Sequence, residues 1–234
     1  MSEALDRVRG VNLLPLFPLP VVLFPGAPMP LHIFEPRYRR MLDDINTGDK
    51  LFGLSYFDTN NYEGETPPQG HVGCVAEVTE VQPLPDGRFN ILTLGLIRYR
   101  VGDYVDRGDP YLVARVSYFE DEAEDEEALA RQTREVTSLF TRIARAMRII
   151  NDERTALPDL PEIEPESLSF LVAAAVEMDV EVKQELLELR YTSERLRRLR
   201  DLLARVVGSY EERARMHQIA KRNGHGGKKI DLEK

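Results

Sequence analysis

Hydrophobic positions change their period partway along the chain. Up to about residue 119 they occur in short apolar runs or alternate with polar neighbours, and proline and glycine punctuate them. Val21-Val22-Leu23-Phe24 is a short run closed by Pro25-Gly26, and Met29 to Phe34 is a second extended piece. Pro36 suits a first helical position, where its missing N–H costs nothing. Tyr38, Met41, Leu42 and Ile45 then share one face of a short helix that ends before Gly48. Leu51 to Phe57 predicts a strand and Asp58 to Gly70 an exposed loop. Val72, Cys74, Ala76 and Val78 alternate as a half-buried strand does. Asp86-Gly87 marks a hairpin turn before a long strand from Phe89 to Val101. In that strand Leu92 and Leu94 share one parity, and Ile97, Tyr99 and Val101 share the other. A β-bulge at Gly95 or Leu96 would bring both sets to the core side. Tyr111 to Phe119 completes the strands.

Beyond this point the pattern is helical. Glu120 to Glu127 is acidic at every position but Ala123, which reads as a solvated connector or helix start, or as a docking patch for a basic partner. Leu129, Thr133, Val136, Phe140, Ile143, Met147 and Ile150 form one continuous seam. Thr155 to Pro165 contains three prolines and predicts an irregular connector. Ser167 to Val176 predicts a short helix buried nearly all round. Asp179 is placed to cap a helix from Glu181 to Leu189, and Thr192 or Ser193 to cap the last one. Together these predict an α+β fold: an N-terminal β-rich pseudo-barrel lobe with one short helix, followed by a C-terminal α-helical bundle lobe. The boundaries read as a tail over 1–12, a β-rich lobe over 13–122, a helical bundle over 123–212 and a flexible basic tail over 213–234.

Composition narrows the function classes. Acidic residues outnumber basic ones, 40 to 31 over 234 residues, which argues against broad nucleic-acid binding. A single cysteine forms no intrachain disulfide and fits a reducing, cytoplasmic setting. The N-terminus lacks the basic and apolar segments of a secretory signal. The uncharged stretch from Val11 to Phe34 carries six prolines and predicts no membrane-spanning helix.

The order of the parts resembles a known family. Leu14-Pro15-Leu16-Phe17-Pro18-Leu19, Val22-Leu23-Phe24-Pro25-Gly26 and Met29-Pro30-Leu31-His32-Ile33-Phe34-Glu35 are similar to the opening signature of the Lon protease N-terminal (substrate-binding) domain. Gly73-Cys74-Val75-Ala76-Glu77-Val78, Leu84 to Arg88, Gly95-Leu96-Ile97-Arg98-Tyr99, Pro110 to Val116 and Lys183 to Glu188 resemble later elements of the same domain, in the same order. The resemblance implies a binder of unfolded or exposed apolar polypeptide segments. It also suggests delivery to a separate protease or chaperone. No G-x-x-x-x-G-K-[ST] occurs, so the expectation is a stand-alone, non-enzymatic form without the ATPase and peptidase parts.

Residue by residue, the candidate polypeptide-binding groove is Phe17, Phe24, Met29, Leu31, Phe34, Glu35 and Arg37, with exposed strand edges adding main-chain pairing. The expected site lies on the β lobe and in the cleft beside the helical lobe. No catalytic, metal or cofactor residue is assigned. His71 and Cys74 are too few for a zinc site, and Cys74 reads as a buried small hydrophobe. Ser167, Ser169, Ser193 and Lys183 of the helical half are disfavoured as a serine–lysine dyad, because Lys183 sits on an acidic, exposed-looking helix. Arg195, Arg197, Arg198, Arg200 and Arg205 read as a solvated face with local pairing rather than an RNA stripe. Two rival readings stand beside polypeptide binding: a homo-oligomeric assembly module and, below it, an autonomous peptidase.

Overall fold

The computed structural model describes residues 2–58, 66–153 and 163–224. Parts of the predicted loop (59–65) and connector (155–162), and the chain after 224, lie outside the described residues. The elements are α1 (Glu3–Arg7), β1 (Leu13–Leu19), β2 (Pro28–Ile33), α2 (Pro36–Asn46), β3 (Leu51–Tyr56), β4 (Val72–Pro83), β5 (Phe89–Tyr104), β6 (Leu112–Phe119), α3 (Glu126–Ile150), α4 (Pro165–Ala175), α5 (Val180–Glu188) and α6 (Thr192–Gly224). Two compact units result. One takes the chain up to Ala123 together with Glu166–Thr192; the other takes Glu124–Pro165 and the chain from Ser193 onward.

In the first unit the strand order is β2-β5-β4-β3-β1-β6, and a further β5–β6 pairing closes the last five into a ring. Among the described strands only the β1–β3 pairing is parallel. Each ring strand sends residues into one cluster: Leu14 and Leu16, Leu51, Val75, Ile97 with Tyr99 and Val101, and Ala114. A second cluster covers the outside of the wall, where Phe52, Leu54, Cys74, Ala76, Val78 and Ile91 meet Tyr38, Met41, Leu42 and Ile45 of α2. The α2 face is thus the predicted one. The half-buried reading of Val72 to Val78 needs correction, because Gly73 and Val75 are buried too. A strand with a filled ring on one side and a helix on the other has no solvent face.

Tyr99 fixes the spacing inside the ring. It is fully buried, its hydroxyl lies 2.7 Å from Ser55 Oγ, and burial pushes its pKa far above the usual tyrosine range. A Cβ on Gly53 or on Gly73 would stand 2.5 Å from that hydroxyl, so the two neighbouring strands are bare where the ring of Tyr99 crosses them.

The bulge predicted near Gly95 is present. Between Cys74↔Arg98 and Ala76↔Gly95, two steps along β4 match three along β5. Ile91 therefore faces the α2 cluster while Ile97, Tyr99 and Val101 face into the ring. Leu92 and Leu94 do come to the same face as the latter set, but not into a core. The ring closes against β6 only along Arg98–Tyr104. Before that point β5 runs on as an arm with β2 and β4, and Leu94 is 36% exposed. A Cβ on Gly95 would fall 2.0 Å from the Phe24 carbonyl oxygen, so only glycine admits the segment that crosses there.

Three boundaries change. Within the predicted tail over 1–12, the described residues from Ser2 on are ordered into the fold: α1 forms, and Val8 after it is buried in the ring cluster. The last helix runs on past 212 to Gly224. The short helices α4 and α5 belong with the sheet unit, not with a bundle over 123–212. Phe170 packs its ring 6.2 Å from Phe24, and Gln184 Nε2 donates to the Val72 carbonyl at 2.9 Å. A helix as apolar as α4 needs cover on most of its surface, and the sheet supplies an apolar wall.

The acidic run is a set of clasps. Glu120 accepts from the Ser2 hydroxyl, Asp121 pairs with Arg98 at 2.5 Å, and Glu122 pairs with Arg190. Glu124 accepts from the Ser193 N–H at 2.9 Å at the start of α6, and Asp125 caps α3. At the start of α6 the acidic run meets both residues predicted to cap it: the Glu124 carboxylate holds the Ser193 N–H, and the Thr192 hydroxyl donates to Asp121. Asp179 stands at the N-cap of α5 without a side-chain cap bond.

In the second unit α3 and α6 run parallel. Partners rise together along both helices: Glu124 with Ser193, Glu135 with Arg200, Arg142 with Glu211, and Asp152 with His217 and Lys221. Leu129, Val136, Ile143 and Ala146 of α3 and Leu196, Leu199, Leu203, Val207 and Ala214 of α6 are buried.

Candidate polypeptide-binding surface

The arm of the first unit leads directly into an exposed aromatic. In β2, Met29, Leu31 and Ile33 turn toward the α2 cluster, while Pro28, Pro30 and His32 turn out. The register sets Pro28 beside Leu94, Pro30 beside Leu92 and His32 beside Asn90. Phe34 follows directly, 58% exposed, with its ring stacked 6.0 Å from His32. The result is an apolar strip of proline, leucine and phenylalanine on the open side of the arm.

Hydrogen bonds hold His32 in place. Its Nδ1 lies 2.8 Å from Asn90 Oδ1, and Arg88 reaches its Nε2 at 3.3 Å. A guanidinium can only donate, so Nε2 accepts and Nδ1 carries the proton. Arg88 is held in turn by Asp86 at 2.5 Å, which keeps the Asp86 carboxyl below the usual carboxylate range.

The free edge of β2 is blunt. Gly95 N–H donates to the Ala27 carbonyl at 2.9 Å, so the odd-numbered residues of β2 direct their backbone groups at β5. The even-numbered ones face the open edge. Two of these are Pro28 and Pro30, which have no N–H. The expectation that this edge adds main-chain pairing therefore fails here: a guest strand would find carbonyl acceptors at both prolines and a donor only at His32.

The seven groove candidates do not stay together. Phe34, Glu35 and Arg37 are at the surface, with Arg37 Nε donating to Glu35 at 2.9 Å and its guanidinium 4.6 Å over the buried Tyr38 ring. Met29 and Leu31 are half-buried against the α2 cluster. Phe17 and Phe24 are core, 5% and 1% exposed; the Phe17 ring lies 3.9 Å from that of Tyr38, tilted by 36°. Hydrophobicity alone could not separate them. The signal that could was the alternation of Pro28 and Pro30 with Met29 and Leu31, which marks an edge strand with one face out. That alternation also points to Pro28, Pro30 and His32, and through the register to Leu92 and Leu94, none of which the sequence reading assigned to the site.

The other candidates have structural roles. Cys74 is fully buried in the α2 cluster, and desolvation pushes its thiol up to about 12. Ser169 Oγ donates to the Glu166 carbonyl at 2.6 Å, and Lys183 Nζ donates to the Ala174 carbonyl at 3.1 Å, with burial lowering the lysine's pKa. Arg197 and Arg198 pair with Glu194 and Arg200 with Asp201, as a solvated helix face does, whereas Arg195 is fully buried. Among the described residues no helix is long and apolar enough to cross a membrane.

Comparison with known proteins gives one answer. The family model of the ATP-dependent protease La (LON) substrate-binding domain matches residues 13–205. Similar curated proteins include a Lon protease of Trichlorobacter lovleyi, 29% identical over 225 residues, covering 92% of this chain and 27% of the relative. Lon protease 2 of Herpetosiphon aurantiacus is 27% identical, covering 89% and 26%. The chain spans about a quarter of the length of these relatives. Among solved structures, a Lon N-terminal domain protein from Xanthomonas campestris superposes with a TM-score of 0.57 at 23% identity, covering 80% of this chain and 96% of that one. The N-terminal domain of a Mycobacterium avium complex Lon protease gives 0.61 at 19% identity, covering 82% and 98%. These two likenesses establish the α+β fold.

Proposed function

This chain belongs to the Lon substrate-binding domain family, and we propose that it is a non-enzymatic binder of exposed apolar polypeptide segments that grips them on the open face of the β2–β5 arm. The carrying observation is the strip of Pro28, Pro30, Leu92, Leu94 and Phe34, a ring left mostly in water beside half-exposed leucine. Recognition runs through side chains, because the prolines remove the donors that strand addition would need. Loose apolar contact with little main-chain pairing suits a binder of many unfolded sequences. Glu35 and Arg37 flank the strip and Met29 and Leu31 support it from beneath. A cytoplasmic location and delivery of the bound segment to a separate protease or chaperone are part of this proposal.

The test is fluorescence anisotropy with a labelled, permanently unfolded model protein and its folded form. Binding of the unfolded form alone is expected, weakened at least about fivefold by Phe34→Ser with Leu94→Ser, a loss of about 1 kcal/mol or more. Equal affinity for both forms, or no change in the double variant, refutes it.

An assembly role has one specific support. In α3 the continuous seam is only partly covered: Met147 is 43% exposed and Phe140 half-buried. Sedimentation at several concentrations checks this reading, and a strict monomer removes it.

A further inference from the structure

The helical unit carries positive charge that its own structure does not consume. Ala146 and Ile149 of α3 and Ala214 of α6 line a groove of about 280 Å³, together with Arg142, Arg145 and Arg215. The two alanines are buried, so the floor is aliphatic. The one carboxylate in the lining, Glu211, is already committed: it accepts from Arg142 Nε at 2.8 Å and from Arg142 Nη2 at 2.9 Å. Arg145 and Arg215 are exposed and make no ion pair among the described residues. Both lie more than a turn before the ends of their helices, so the helix dipoles do not account for them.

We propose that this groove docks an acidic amphipathic polypeptide segment, with aliphatic side chains on Ala146, Ile149 and Ala214 and carboxylates forked onto Arg145 and Arg215. Guanidinium suits this role, because its planar donors match a carboxylate two at a time. The volume admits a few side chains, not a folded domain. A nucleic acid fits less well: the lining offers no aromatic ring for bases, and the chain as a whole is negative by 9. The site lies on the helical unit and is independent of the apolar strip on the arm.

Full-length protein is titrated into a labelled peptide of alternating Glu and Leu and into its Gln-for-Glu counterpart, by anisotropy. The acidic peptide binds at least about tenfold more tightly than the neutral one, as expected for charge-assisted pairs. Arg145→Gln with Arg215→Gln removes that difference without moving the thermal midpoint. Arg145→Lys with Arg215→Lys retains part of it, since lysine keeps the charge but loses the fork. Phe34→Ser leaves it unchanged. Equal binding of the two peptides, or acidic binding indifferent to the double Gln variant, overturns the proposal. So does displacement of the peptide by a single-stranded oligonucleotide or by phosphatidylserine vesicles at lower concentration than unlabelled peptide.

Discussion

Arg98 and Asp121 form a buried pair that decides whether the sheet unit holds together. Their side chains are 1% and 4% exposed and 2.5 Å apart. The same guanidinium donates to the carbonyls of Leu187 at 3.1 Å and Leu189 at 2.5 Å, and lies 4.5 Å over Phe119 and 5.1 Å over Phe170. It thus ties β5, the segment after β6 and the end of α5 to one point. Asp121→Asn keeps the shape and removes the charge, so the buried cation loses the countercharge of this pair and keeps the Leu187 and Leu189 carbonyls and the two aromatic faces. Breaking such a pair from one side costs about 3–5 kcal/mol, and the remaining carbonyls set the expectation near 3. Arg98→Met takes the guanidinium away from a buried carboxylate and removes its hydrogen bonds to both carbonyls, so about 4–5 kcal/mol is expected. The double variant removes both buried charges and should cost less than the sum by at least about 2 kcal/mol. Urea unfolding followed by circular dichroism measures all three. An Asp121→Asn loss below about 0.5 kcal/mol, or strict additivity, would refute the argument that desolvated charge is what binds these segments.

Four further outcomes are expected. Gly95→Ala puts a methyl on the Phe24 carbonyl and should cost about 3 kcal/mol in thermal unfolding, because backbone rather than a flexible side chain must move. Cys74 should resist a thiol reagent at pH 8 in the native protein and react once urea unfolds it, since its thiol is buried and pushed up to about 12. His71 has its pKa lowered, chiefly by desolvation, with Glu188 and a bond to the Tyr56 backbone acting against it. The unfolded chain therefore binds the proton more readily: stability is complete above about pH 6.5 and falls on acidification toward the folded pKa, by at most about 1.4 kcal/mol per pH unit. His71→Gln should flatten the midpoint-against-pH curve in that range. Pro28→Val with Pro30→Val restores two edge donors and should produce concentration-dependent association in sedimentation; an unchanged monomer fraction would show that the prolines do not guard the edge.

Much of the fold could be read from the sequence where one physical requirement dominates. Tyr38, Met41, Leu42 and Ile45 have a single face to hide, and they hide it. The parity break at Gly95 announced a bulge because no regular strand can turn both parity sets to one face. What the sequence could not supply was which surface each apolar face meets. The seam of seven positions from Leu129 to Ile150, six apolar residues and Thr133, fits a bundle or a pair equally well, and α4 fits a bundle or a sheet wall. Burial of Phe17 and Phe24 against exposure of Phe34 is likewise a matter of tertiary neighbours: α2 covers the first, Phe170 the second, and the third falls just past the end of β2. The acidic run was legible in part: it does lead into α3, which Asp125 caps. Its carboxylates find N–H groups and guanidinium ions far along the chain, which a local reading of charge cannot foresee.

The open face of the arm follows from the way the ring closes. A sheet that curls shut buries one side completely, and β6 does this for β5 only from Arg98 onward. Had β6 paired along the whole of β5, Leu92 and Leu94 would lie in the ring core with Tyr99. Instead the bulge turns the two leucines to the ring side exactly where no ring exists, and β2 supplies prolines rather than polar residues beside them. Covering that face internally would require another strand, and the blunt edge of β2 refuses one. Apolar surface that the chain can neither bury nor extend as a sheet remains available to side chains from elsewhere, which is the physical condition for holding an unfolded segment without becoming its template.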